Sequence, residues 1–215
     1  MTIEEVRHRP RFVQLVVSCV VLGIGVGLLL TAALGSDGFS TLVNGLTIAT
    51  GVPFAAVNVA VGAVFVALAW WRGLRPAWGT IIQPVVVGLT INAMLAITSE
   101  PGSLAWRIVL LAAAFPVVVV GVAGYLGSGA GPGPTEAAPI AFDPPVPFRW
   151  SYSFLQGSGA LIGWLLGAAI GAGTVFVIFL IGPAVDLVSR RVALFDIHAS
   201  SADRRPLVED ELCGQ

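Results

Sequence analysis

Lysine is missing from this 215-residue chain, and all eleven basic residues are arginine. Charge of either sign is scarce. Asp, Glu, Lys and Arg together make up 11% of the residues, against about 25% in soluble proteins. A soluble domain could not hide the rest, because 56% of the chain is hydrophobic and the mean hydropathy is +0.91. Cysteine is nearly absent. Cys19 lies inside a long apolar run and Cys213 near the end, so no disulfide framework is implied. Cys213 is third from the end, which does not fit a C-terminal prenylation box.

The residues that carry most enzyme chemistry are equally thin. His8 and His198 lie outside the apolar runs, and no His, Cys or acid cluster has metal-ligand spacing. No nucleophile elbow or Ser-His-Asp set is visible. The run Gly-Ser-Gly-Ala-Gly-Pro-Gly-Pro at 127–134 lacks the Gly-Lys-Ser/Thr ending of a phosphate loop, and no strand precedes it. Enzyme activity, a cofactor, a metal and a nucleic-acid partner are therefore not expected; the few Arg form no basic footprint.

What remains is hydrocarbon. Six runs, at 12–34, 52–71, 79–98, 105–126, 150–168 and 173–189, have the length of a bilayer-crossing helix. In lipid every backbone polar group must be satisfied internally, so helices are the expected form. The first run exceeds a signal-peptide core and has no clear cleavage site, which makes it a retained anchor. Arg placement gives orientation. Ten of the eleven Arg fall on one side, at 7, 9, 11, 72, 75, 149, 190, 191, 204 and 205, and Arg107 alone on the other. This bias predicts a multi-pass protein of the bacterial cytoplasmic (inner) membrane with both termini cytoplasmic. The lipid bilayer is its first partner.

A spaced signature recurs. Trp70, Gly73, Gly79, Thr80, Gly88 and Asn92 are matched by Trp164, Gly167, Gly173, Thr174, Gly182 and Asp186, each 94 residues later. Each copy then holds three spans. An odd number forces the second copy to enter the membrane upside down, the arithmetic of an inverted repeat. The expected fold is all-α: a polytopic membrane helix bundle of six spans arranged as a 3+3 inverted-topology repeat. A cytoplasmic segment at 1–11 precedes the first three-span repeat at 12–98. The second repeat covers 105–191, and a cytoplasmic tail at 192–215, expected to be disordered, ends the chain. The turns at 34–40 and 130–136 are related at an offset of 96, which pairs Ser40 with Glu136. Residues 41–50 are too short to span and read as an interfacial or re-entrant helix. Their counterpart, 137–148, holds Pro139, Pro144, Pro145 and Pro147 and reads as an irregular cytoplasmic loop.

Asp186 is the one acid inside an expected span. A charge in hydrocarbon is expensive, so it should face the bundle interior or water. Gly182 and Pro183 precede it by about one turn, where a proline weakens the helix. One reading makes Asp186 an ion or solute site; the other pairs it with Arg190 at i+4. Asn92 is its partner in the repeat, and the two would flank the midplane. Asn58, Gln83 and Gln156 add amides within spans, suited to a solute or to helix–helix hydrogen bonds. Glu136 lines a vestibule or is a solvated loop acid. Gly159, Gly163 and Gly167 recur every four residues, a smooth strip for close helix packing.

The blocks Arg-Gly-Leu-Arg-Pro-Ala-Trp-Gly-Thr at 72–80, Gly-Trp-Leu-Leu-Gly at 163–167, Gly-Ala-Gly-Thr at 171–174 and Ile-Gly-Pro at 181–183 resemble the YczE-like bacterial integral membrane proteins. The turn Gly-Pro-Gly-Pro-Thr-Glu at 131–136 is similar to that family's second-half turn, which usually carries a basic residue and Asp where Thr135 and Glu136 stand. In the first half Gly38, Phe39 and Ser40 replace the usual Pro-Trp-Asp. The resemblance implies a small multi-span protein, often supposed to be a transporter, with no assigned substrate or functional residue. The expected function is a secondary transporter or permease for a small solute. The alternative is a non-transporting membrane scaffold or accessory subunit, which predicts a filled apolar interior. A narrow six-helix bundle also makes a symmetric homodimer reasonable.

Overall fold

The computed structural model describes residues 11–143 and 145–192, with Arg149 described by its backbone alone. The N-terminal arginines at 7 and 9, the tail and its expected disorder, both His and Cys213 lie outside the described residues. Those residues form eight helices and no strand. They are α1 (Phe12–Ala32), α2 (Gly38–Thr50), α3 (Phe54–Trp71), α4 (Trp78–Ile97), α5 (Leu104–Leu126), α6 (Pro134–Ala141), α7 (Phe148–Leu165) and α8 (Ala172–Arg191).

Five of the eight, α1, α3, α4, α5 and α8, are long and apolar enough to cross a membrane. They mark the chain as a multi-pass membrane protein. The fifth expected run, α7, has 18 residues but lacks their apolar character. Ser151, Ser153, Gln156, Ser158 and three glycines dilute it. Large side chains such as Val13, Ile97, Leu165 and Phe179 stay exposed on the helix flanks, as contact with lipid requires. All six Trp are exposed and sit near helix ends, where the indole ring matches the membrane–water interface.

Local chemistry sets the ends. Asp37 caps α2 by accepting a hydrogen bond from the Ser40 amide at 3.0 Å, and Gly51 ends it in the left-handed region at φ +71°. The 137–148 stretch is partly helical, contrary to the expected loop: α6 occupies Pro134–Ala141. Pro134 stands at the first helical position, where no backbone donor is needed, and in so short a helix Pro139 deletes one internal bond. The remaining prolines follow its end.

The two longest helices, α1 and α5, form the central pair and run antiparallel. The Arg11 amide donates to Ser128 O at 3.1 Å and Gln14 Nε2 to Gly124 O at 2.9 Å. Further along, a Cβ added at Gly121 would lie 2.6 Å from the Leu22 backbone, and one added at Gly25 would lie 2.8 Å from the Val118 nitrogen. α4 packs on α1, and α8 on α5. α2 lies against α7, and α6 against α3.

Several features come in pairs. α3 and α7 are 18 residues each and start 94 apart; α4 and α8 are 20 each and also start 94 apart. The Gly79 amide donates to Ala130 O at 2.7 Å and the Gly173 amide to Leu34 O at 3.0 Å. Gly35 and Gly131 adopt φ +104° and +99° in the two turns. Gly159 and Gly163 lie against α2, where their missing side chains would strike the backbone of Gly38 and Thr41. Gly167 lies beyond the end of α7, in a left-handed turn at φ +99°.

Gly121→Ala should strain the α1–α5 crossing, since both backbones would have to move. A loss of about 1–3 kcal/mol is expected for such overpacking. Reversible unfolding in mixed detergent micelles measures it, with Gly157→Ala, where an added Cβ meets nothing within 4 Å, as the unstrained control.

Candidate functional site

Antiparallel packing of α1 on α5 leaves a gap that the shorter helices fill only in part. A cavity of about 310 Å³ remains, lined by residues of all eight helices. One part is apolar, with Leu22 and Val26 of α1, Val87 and Ile91 of α4, Val118 of α5 and Ile181 of α8. The other is polar. Asp37 and Ser40 enter from the start of α2, Asn58 from α3, Gln83 from α4 and Tyr125 from α5. Thr135 and Glu136 enter from α6, Tyr152 and Gln156 from α7, and Asp186 from α8.

The polar groups are partly wired together. The Phe39 amide donates to Gln156 Oε1 at 3.2 Å, and Gln156 Nε2 donates to the Tyr152 hydroxyl at 2.8 Å. Asn58 Nδ2 donates to Pro84 O at 2.6 Å, joining α3 to α4. Tyr125 Oη and Glu136 Oε2 are buried with no hydrogen-bond partner beyond each other. The Tyr125 hydroxyl lies within reach of the Glu136 carboxyl, whose charged form it favours. Among the described residues no group of three or more His, Cys, Asp or Glu could hold a metal ion.

Residues 9–190 match a family described as "Family of unknown function (DUF6198)". The chain belongs to this family. It is also 29% identical over 168 residues to an uncharacterized protein of Haemophilus influenzae, a match covering 77% of each chain. No solved structure matches.

Of the residues singled out in this DUF6198 sequence, Asp186, Glu136, Gln83, Asn58 and Gln156 line the cavity, as does Ser40. Asn92 does not. On α4 it follows Ile91, and one residue further turns the side chain about 100° away. Asp186 lies at the cavity edge with its carboxylate on Arg190 Nε at 2.9 Å, both side chains being substantially exposed. Such exposed pairs stabilise little. Neither proline breaks its helix: α4 continues through Pro84 and α8 through Pro183.

Three ionisable cavity residues carried no weight in the sequence reading: Asp37, Tyr125 and Tyr152. A signal existed for each. Asp37 has the N-cap residue type, three positions before Ser40. The chain holds two tyrosines in all, and both line the cavity.

Asp37 and Glu136 lie outside the long helices, at the start of the two short ones. Burial pushes both carboxyls above the ordinary carboxylate range. For Asp37 the hydrogen bonds from Ser40 oppose the shift. For Glu136 Tyr125 opposes it, while the nearby Asp37 charge adds to it. The folded protein therefore keeps protons that the unfolded chain has already lost. Its stability should fall as pH rises from the ordinary carboxylate value through the raised one, then level off. Thermal unfolding followed upward in pH from the ordinary carboxylate value should show the lower midpoint at the higher pH. Glu136→Gln should flatten that slope; an unchanged slope would contradict the assignment.

Proposed function

We propose that the protein is a secondary transporter or permease for a small solute, with the central cavity as its solute site. The observation that carries the reading is the cavity itself. It joins carboxyl, phenol and amide groups to an apolar wall inside a multi-pass helix bundle, the composition of a small-molecule site. A scaffold or accessory subunit has no use for buried carboxyls facing a void, which cost stability.

The proposal includes six spans as a 3+3 inverted repeat. Supporting it are the matched helix lengths, the reciprocal Gly79 and Gly173 hydrogen bonds, and the reciprocal Gly25–Val118 and Gly121–Leu22 contacts. Reciprocity of this kind is the mark of a two-fold relation, and antiparallel α1 and α5 turn one half over relative to the other. Trp150 and Trp164 stand near the two ends of α7, as they would on a sixth span. Its Tyr152 and Gln156 line the cavity, and its Gly159 and Gly163 lie against α2. Solute sites at the interface of such halves are the rule in transporters. The YczE-like resemblance, the bacterial inner membrane and cytoplasmic termini belong to the same proposal, as does its classification as a non-enzyme. A homodimer remains part of it only on the argument of bundle width.

A single cysteine at Ser40, in a Cys19→Ala, Cys213→Ala background in oriented vesicles, tests the reading. A membrane-impermeant thiol reagent should modify it from at least one side, and solute should slow the reaction. No reaction from either side would sink the permease reading.

A further inference from the structure

The cavity is chemically one-sided. Its ionisable lining is Asp37, Glu136, Asp186 and the two phenols, with no Arg or His among the described lining residues. Arg190, outside the lining, is engaged with Asp186 at 2.9 Å. An anion would need donors, and the first amides of α2 are already used. Phe39 N goes to Gln156 Oε1 at 3.2 Å, Ser40 N to Asp37 Oδ2 at 3.0 Å, and Thr41 N to Asp37 O at 2.9 Å.

The buried Tyr125–Glu136 pair instead keeps lone pairs for a donor, since a carboxylate only accepts and a hydroxyl that donates can still accept. Tyr125 is 1% exposed, and its hydroxyl and Glu136 Oε2 have no partner beyond each other. The cavity is also too large and too apolar for a bare ion. Its 310 Å³ is about ten times the roughly 30 Å³ share of a liquid water, and aliphatic side chains form one wall.

We propose that this cavity binds a small organic monocation, a protonated primary amine whose N–H groups reach Asp37, Glu136 and the Tyr125 hydroxyl. The assignment rests on reading the cavity as a solute site and names the class of that solute. The carbon skeleton lies against Val87, Val118 and Ile181. Phe39 and Tyr152 add aromatic rings to the lining, which favour a cation nearby.

Entry of the cation is balanced by loss of a proton. R–NH3⁺ and a neutral site carboxyl become an ammonium–carboxylate pair and a released H⁺. No oxidant, metal or further reactant is required. The titratable groups that act on the two carboxyls are Tyr125 from α5, Tyr152 from α7 and the carboxyls on each other; Asp186 of α8, paired with Arg190, lines the same cavity. Protons and amine therefore compete for one site.

Titration of the purified full chain in detergent with propylammonium tests this, with propionamide and propionate as neutral and anionic ligands of similar size. Propylammonium alone should bind saturably, more tightly at high pH, releasing protons detected by comparing buffers of different ionisation enthalpy. Glu136→Gln and Asp37→Asn should each weaken binding at least tenfold. Asn remains an N-cap residue, so α2 should survive. If either variant fails to fold, Tyr125→Phe supplies the second arm and should weaken binding several-fold. Preference for propionate or propionamide, ammonium binding retained by the folded variants, or none to the folded wild type would overturn the inference. A Ser40 cysteine that reacts while no ammonium binds sinks this inference alone; one that never reacts sinks the permease reading itself.

Discussion

The close backbone crossing of α1 and α5, the two longest helices, governs everything around it. Gly25 and Gly121 leave no room for a Cβ against the facing helix. Two long helices can then cross with no side chain between them, which is how membrane helices associate when lipid gives no hydrophobic incentive. Closing that contact spreads the flanking helices. α4 follows α1 and α8 follows α5, and the short α2 and α6 are left to plug the space between. They plug it with their first turns, and so the first-turn residues Ser40 and Glu136, together with the Asp37 cap, arrive at the centre of the molecule.

The composition of the cavity follows from this geometry. Short helices that begin inside a bundle bring backbone donors and capping side chains to places where a spanning helix would bring only aliphatic ones. The exposed N–H groups at such a start demand partners. Here Asp37 and Gln156 supply them, which leaves Glu136 and Tyr125 with no partner beyond each other. Structural need thus accounts for part of the buried polarity. The part it does not account for is where a solute fits.

Much of this was readable beforehand because lipid imposes simple rules. Run length located the helices to within a few residues, and the spacing from Trp70 to Asn92 and from Trp164 to Asp186 located the matched pairs. The cavity was legible only in fragments. Asp186, Gln83, Asn58 and Gln156 stood out as polar residues in apolar runs, Glu136 by its place in the second turn, and all five line it. Asn92 stood out on the same ground and lies off it, because residue type cannot report helix rotation. Asp37 was overlooked since a turn acid before a helix is ordinarily a solvated cap; only the burial of the turn makes it unusual. α6 was missed because proline counts against a helix unless it falls at the first position.

The pairing of α2 with α7 has a consequence for synthesis. The Phe39 amide waits for Gln156, 117 residues further along the chain. At roughly 5–20 residues per second, α2 spends on the order of 6–25 s with its first turn unmatched. The same holds in reverse for α3, whose neighbour α6 is made long after it. The two halves of the chain are therefore interlaced, and neither can complete its interior alone. During that interval Asp37 holds the Ser40 amide by its side chain and the Thr41 amide by its carbonyl, a local fastening that keeps the helix start formed until the distant half arrives.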